Sequence, residues 1–380
     1  MSRAIAACLR GFADNKGEAG SAGLDSGGLA FDTTVSIQAT PNGTRYQLIK
    51  PKHSNTTHPS CIAIHVFGGG FVAGSPTQYL PLTSQLVQKN ARGGRVGECW
   101  MAVPFYSLNA YYPVPLNQVL AVARALRRDH ARARLVIGGD SAGGTIACGA
   151  ALRAPRLFDG MYLYSPWLNL DSDLKTYSSR AFCPAVTGAQ GTRASTGDPI
   201  FTTSAAKNSA SSRALAMHYL GTKSRFADPY ANPSRATGRM LARLPPVLVF
   251  VGDRETVLGG SERFMGKLQA LGRTEDALQV YSGMWHVFAM YSQGCGSGER
   301  LAQADAVLSQ TRSFIRGAAP RSLAPAHLPS VDAKLVMLPL PLRSPGQKRN
   351  TRRRRRTRRP KTSRQGSSTR RRKAKASPRH

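Results

Sequence analysis

Acidic residues are scarce in this chain of 380 residues: 20 Asp and Glu stand against 53 Lys and Arg, a net charge of +33. That excludes the near-balanced surface of an ordinary soluble enzyme along the whole chain, and it points to a polyanionic partner for some part of it. The excess is local. From Arg343 to His380 there are 18 basic residues and no acidic one, which leaves +15 on the remainder. Paired C-x-x-C spacing is also missing. The six cysteines stand at 8, 61, 99, 148, 183 and 295, mostly inside apolar runs, and are expected as buried free thiols in a reducing compartment. No run approaches the roughly 18 apolar residues of a membrane span. Arg10 interrupts the short apolar patch of the first ten residues, so a secretory signal is not expected either. The implied setting is cytoplasmic, and the sequons Asn42-Gly-Thr and Asn55-Thr-Thr then read as surface loops.

What is present is a long, apolar middle. Residues 11 to 30 are rich in Gly, Ala and Ser without apolar periodicity, so residues 1–30 read as a flexible leader. Two short alternating segments, Val35-Ser-Ile37 and Arg45 to Ile49, are joined through Pro41-Asn-Gly, which predicts an edge hairpin. The next runs are continuous instead: Cys61 to Phe67, Trp100 to Phe105, Leu135 to Ile137, Met161 to Tyr164 and Val247 to Val251. Strands buried on both faces look like this, and helical spacing at Leu116, Val119, Leu120, Ala123 and Leu126, and at Phe264, Leu268 and Leu271, alternates with them. The fold class is therefore α/β: a mostly parallel central sheet with helices on both faces and ligands at the carboxyl ends of its strands. Residues 171 to 243 break the rhythm with Pro184, Pro199, Pro229 and Pro233 and one weak helix near Ala214 to Leu220, and read as an inserted cap. A helix from Glu299 to Arg316 closes a domain spanning 31–319, and 320–380 is expected as a disordered basic tail.

Chemistry enters at Val136-Ile-Gly-Gly-Asp-Ser141-Ala-Gly143-Gly-Thr, a G-x-S-x-G between a strand and a helix. A sharp turn there exposes the Ser141 hydroxyl above the sheet, and small neighbours let backbone atoms approach it. A glycine-rich turn opening a helix is the plain alternative. Upstream, Phe67-Gly68-Gly69-Gly70-Phe71 follows a buried strand at the same sheet edge, so unshielded N–H groups are available to an oxyanion. The spacing is not that of a phosphate-binding G-x-x-x-x-G-K-[ST] loop. Of the eight histidines, His286 alone follows a late predicted strand, in Tyr281-Ser-Gly-Met-Trp285-His286, where an imidazole could serve Ser141 as base. Two acids, Asp253 and Glu255, follow the predicted strand Val247 to Val251 between them in the chain, and the order Ser, acid, His is the one that suits a relay on this type of sheet.

Four segments in order, Gly68-Gly-Gly-Phe-Val-Ala-Gly-Ser75, Gly139-Asp-Ser-Ala-Gly-Gly144, Asp228-Pro-Tyr-Ala-Asn-Pro233 and Gly283-x-x-His286-x-Phe288, resemble the hormone-sensitive-lipase-like branch of the α/β-hydrolases, over about residues 58 to 316. The resemblance implies a serine esterase with Ser141 as nucleophile, His286 as base and an oxyanion hole at Gly69, Gly70 and Ala142. It also favours Glu255 as the acid, three residues after Gly252 and 31 before His286, with Asp253 as runner-up. Two features depart from the branch. Phe67 stands where its motif has His, with His65 two residues earlier on the same side of a strand. The flexible leader lacks the helices that the branch folds over its site, which implies a smaller cap.

The reaction so implied is hydrolysis of a carboxylic ester of a small or medium acyl group, a lipid or steryl ester among the candidates, with no metal and no organic cofactor. Cleavage of a related amide, as by a formamidase, is a variant. Trp100, Tyr106, Tyr111, Tyr112, Trp167 and Phe201 are candidate pocket aromatics, with ordinary core as the plainer expectation for most. Residues 343–380 have no apolar content to fold and no aromatics to stack on bases, so they suit non-specific contact with polyanions, a nuclear address or an anionic membrane surface. The competing function class is a weakly active hydrolase fold whose basic tail does the binding.

Overall fold

A computed structural model describes residues 32–87, 97–180, 197–198, 205–292, 299–319 and 337–339. The leader at 1–30 and most of the span from 320 lie outside the described residues. Within that span Met337–Pro339 forms a strand, paired antiparallel with Glu299–Leu301.

Eight strands form one sheet in the order β1-β2-β4-β3-β5-β6-β7-β8: β1 Thr33–Ala39, β2 Arg45–Pro51, β3 Cys61–Val66, β4 Cys99–Pro104, β5 Arg134–Asp140, β6 Gly160–Tyr164, β7 Val247–Gly252 and β8 Ala277–Tyr281. The expected hairpin is β1 and β2, which adds antiparallel to β4, and all pairings from β4 to β8 are parallel. Every residue of β3, β4, β6 and β7 is buried, which is why their sequences run apolar without alternation. The hairpin differs because β1 closes the sheet on one side only and leaves Val35 and Ile37 in solvent.

Helices cover both faces. Val114–Asp129 (α2) and Ser141–Arg153 (α3) pack on each other, whereas Leu80–Val87 (α1), absent from the sequence reading, packs on the last helix, Ala302–Ile315. The connection from β3 runs outward to β4 and that from β5 runs the other way to β6, so right-handed crossovers send α1 and α3 to opposite faces. Neighbouring strands whose connections part in this way leave a crevice at their carboxyl ends. The triple glycine follows β3 at one lip of that crevice and Ser141 follows β5 at the other.

The span expected as a cap holds more order than its composition suggested. Its helix is Ala205–Leu220 (α4), sixteen residues long. Pro233–Arg235 packs on α3 and on Leu258–Gln269 (α5). Cys61 and Cys99, both buried, are register partners on adjacent parallel strands, with Cα atoms 4.5 Å apart. Apolar runs reveal burial but not register. Cys148 is a buried free thiol, as expected, and burial pushes its ionisation up.

Candidate active site

Ser141 opens α3 with φ +50, a strained value for a residue with a side chain, and the turn survives because of its neighbours. A Cβ at Gly143 would stand 2.1 Å from the Val66 carbonyl oxygen, and one at Gly139 2.7 Å from the same atom. Any larger residue at either place would push the serine off β3, so the spacing of the motif is a packing requirement of the turn.

The hydroxyl Oγ of Ser141 lies 2.8 Å from His286 Nε2. The other imidazole nitrogen, Nδ1, donates to Glu255 Oε2 at 3.1 Å. Glu255 is fully buried and its second oxygen accepts the Ser165 hydroxyl at 2.7 Å and the Gly252 N–H at 2.5 Å. These bonds fix the tautomer, with the proton on Nδ1 and the Nε2 lone pair facing serine. Burial pulls the imidazole down, but the hydrogen bond and charge of Glu255, with the charges of Asp198 and Asp140, outweigh it and hold His286 above its ordinary value. Asp253, the runner-up acid, turns outward and accepts from the Ser282 hydroxyl and the Gly283 N–H. The structure thus brings Ser141, His286 and Glu255 together and leaves Asp253 aside.

On the opposite side of Ser141, the Gly68 N–H donates to Asp140 Oδ1 and to the Tyr79 hydroxyl, both at 3.0 Å. The N–H groups of Gly69, Gly70 and Ala142 find no acceptor among the described residues. Gly69 and Gly70 have φ of +108 and +62, and a Cβ at Gly69 would meet the Ala73 carbonyl at 2.1 Å. The bend is one that only glycine makes there, and it holds amides beside the serine. Ala142 sits in the first turn of the thirteen-residue α3, where the helix end is partially positive.

Phe67, in place of a histidine, stacks on Tyr106 with ring centroids 4.3 Å apart, and the Tyr106 hydroxyl donates to the Phe67 carbonyl at 2.9 Å. The bracing falls to Asp140, which besides Gly68 accepts from Tyr79 OH at 2.9 Å and from His65 Nε2 at 3.2 Å. Neither this brace nor Ser165 was found in the sequence. A hint was available, since Asp140 stands beside Ser141 and Ser165 directly follows a strand at the same sheet edge.

A cavity of about 220 Å³ opens over Ser141 and His286, lined by Gly69, Gly70, Trp167, Tyr177, Leu215 and Val257 among others. Of the five candidate aromatics among the described residues, only Trp167 lines it. Trp100 packs against His130, Tyr106 and Tyr112 are core, Tyr111 is exposed, and Phe201 lies outside the described residues. Asp198, Glu255 and His286 bring one donor atom each within 4.8 Å of one another. His286 Nδ1 and both Glu255 oxygens are hydrogen-bonded there.

Residues 63–290 match the family model described as alpha/beta hydrolase fold. The chain belongs to that family. This α/β-hydrolase is 25% identical over 272 residues to a protein of Acinetobacter venetianus named esterase, covering 69% of this chain and 78% of that one. Among solved structures it is similar to carboxyl esterase 2 of the mycorrhizal fungus Tuber melanosporum, with 21% identity, TM-score 0.58 and coverage of 77% and 89% of the two chains. It is also similar to an esterase of the bacterial hormone-sensitive lipase family, with 21% identity, TM-score 0.62 and coverage of 82% and 96%. No helix among the described residues of the hydrolase is long and apolar enough to cross a membrane.

Proposed function

We propose that this protein is a serine esterase of the hormone-sensitive-lipase type, hydrolysing carboxylic esters through an acyl-enzyme on Ser141. The observation that carries the proposal is the 2.8 Å approach of Ser141 Oγ to His286 Nε2 beside three amides without an acceptor. Ser141 Oγ attacks the acyl carbon while its proton passes to His286 Nε2. Charge develops on the carbonyl oxygen, where the amides of Gly69, Gly70 and Ala142 receive it, each such donor being worth about 10² to 10³ in rate. His286 returns the proton to the departing alkoxide as the ester C–O bond breaks. Water then attacks the acyl-enzyme, gives its proton to His286, and the carboxylic acid leaves as Ser141 is reprotonated. Glu255 keeps the imidazole in the productive tautomer throughout and balances its transient positive charge.

A cavity of about 220 Å³ with Trp167, Tyr177, Leu215 and Val257 in its wall favours acyl groups of small to medium size over long chains. Turnover of p-nitrophenyl esters by the wild type and by Ser141→Ala tests the reading. Activity is expected in the first and background in the second; equal turnover in both would remove it. A series of acyl lengths then reads the cavity directly, with decline expected beyond medium chains. To residues 343–380, with 18 basic and no acidic side chains, we assign non-specific contact with polyanions. Deleting them is expected to leave turnover intact and to abolish salt-sensitive retention on heparin, and unchanged retention would contradict the assignment.

A further inference from the structure

We propose that Asp198 is a positioning residue for the base: it clamps the His286 loop from the inserted segment and sets a second negative charge beside the imidazole. The inference rests on the esterase reading and adds to it a residue that no motif marks.

Asp198 is fully buried, and its own N–H donates to the Arg180 carbonyl at 2.9 Å. Its Oδ2 accepts the backbone N–H of His286 at 3.2 Å. The next amide, of Val287, donates to Ser165 Oγ at 2.9 Å. Val287 has φ +53, a costly conformation for a β-branched residue. Such a backbone persists only where its surroundings over-determine it, and here two consecutive amides are fixed, one by the end of β6 and one by the insert. Arg180 extends the tie, since its guanidinium reaches the Asp253 carbonyl in the loop that carries Glu255.

Charge supports the same role. An Asp198 oxygen lies within 4.8 Å of an imidazole nitrogen and of a Glu255 oxygen. Among the described residues, the groups facing His286 are Glu255 after β7, Asp140 at the end of β5, the Ser141 hydroxyl after it and Asp198 from the insert, while Tyr291 faces Asp198 and Tyr79 lines the same cavity. With Asp198 as a second buried carboxylate within 4.8 Å of the imidazole besides Glu255, the cation that forms as Ser141 attacks is stabilised by more than Glu255 alone, in a site where little water screens it.

The test is the pH dependence of kcat and kcat/KM for p-nitrophenyl acetate between pH 5 and 9, with Asp198→Ala, the isosteric Asp198→Asn and Ser141→Ala. Loss of the charge favours neutral imidazole, so the acid limb of both Asp198 variants is expected to move down by about one pH unit. Asp198→Ala also releases the loop, and its kcat is expected to fall about tenfold with KM within about twofold. Asp198→Asn keeps an acceptor for the His286 amide and is expected to recover most of that kcat at pH 8. Acid limbs that coincide with wild type in both variants would overturn the proposal, because a carboxylate that merely packed the insert would leave them unmoved. So would an Asp198→Asn as slow as Asp198→Ala. If Ser141→Ala retains wild-type turnover, the esterase reading itself falls; if it is inactive while both Asp198 limbs stay in place, only the role of Asp198 falls.

Discussion

Two buried histidine–carboxylate pairs flank Ser141, and they face opposite ways. In the first, His65 gives Nε2 to Asp140 at 3.2 Å and turns Nδ1 to the Tyr162 hydroxyl at 3.1 Å. In the second, His286 gives Nδ1 to Glu255 and turns Nε2 to Ser141. The carboxylate selects the tautomer in each, so the two imidazoles present opposite nitrogens. What separates a brace from a base is the group on the far nitrogen. Around His65 that group is a phenol whose ionisation burial pushes well above its ordinary value, in a pocket closed to solvent. His286 instead meets a hydroxyl at the wall of a cavity. Burial and a carboxylate partner therefore do not make a general base; access to a proton that has to move does.

Mutations on the two sides should separate by orders of magnitude. Replacing His286 with Ala is expected to lower kcat by about 10⁶, the scale for loss of a relay histidine. Glu255→Gln keeps the volume but stops fixing the tautomer, and should lower kcat by about 10⁴. Asp253→Asn, only two residues away, should stay within about twofold of wild type in the same assay, as a half-buried carboxylate that turns away from His286 to the Gly283 amide. On the other side, His65→Ala leaves Asp140 and Tyr162 short of a partner. Urea unfolding should register a loss of about 1 to 3 kcal/mol, with kcat down roughly tenfold as the glycine bend loosens. A His65→Ala as inactive as His286→Ala would erase the distinction between the two pairs. The smallest effect is on pH: with His286 held above its ordinary value, the acid limb of kcat/KM should have its midpoint above 6.5, and a midpoint below it would show that burial prevails over Glu255.

Much of this was legible because packing demands left traces in the sequence. Strands buried on both faces wrote continuous apolar runs, and the turn at Ser141 wrote glycines at 139 and 143, where the β3 backbone leaves no room for a Cβ. The acid was harder. Two carboxylates close to one strand end look alike in one dimension, and a resemblance in spacing, not local chemistry, favoured Glu255. Its longer side chain folds back to the Gly252 amide while Asp253 turns to the next loop. The brace was invisible because it joins residues 65, 79, 140 and 162 from three strands and one short turn, and hydrogen bonds across a sheet leave no periodic mark. Asp198 was hidden for a related reason: it reaches His286 across 88 residues of chain from a segment whose composition reads as loop. That Cys61 and Cys99 stand side by side needed the register of β3 on β4, which apolar patterning does not encode.

In the proposed mechanism Ser141 alone is made nucleophilic by its surroundings. Treating the protein with a fluorophosphonate and locating the adduct by peptide mass spectrometry tests it most directly. The predicted result is a single covalent adduct on the peptide containing Ser141, absent in Ser141→Ala and formed far more slowly in His286→Ala. An adduct on another residue, or labelling at an unchanged rate without His286, would contradict it.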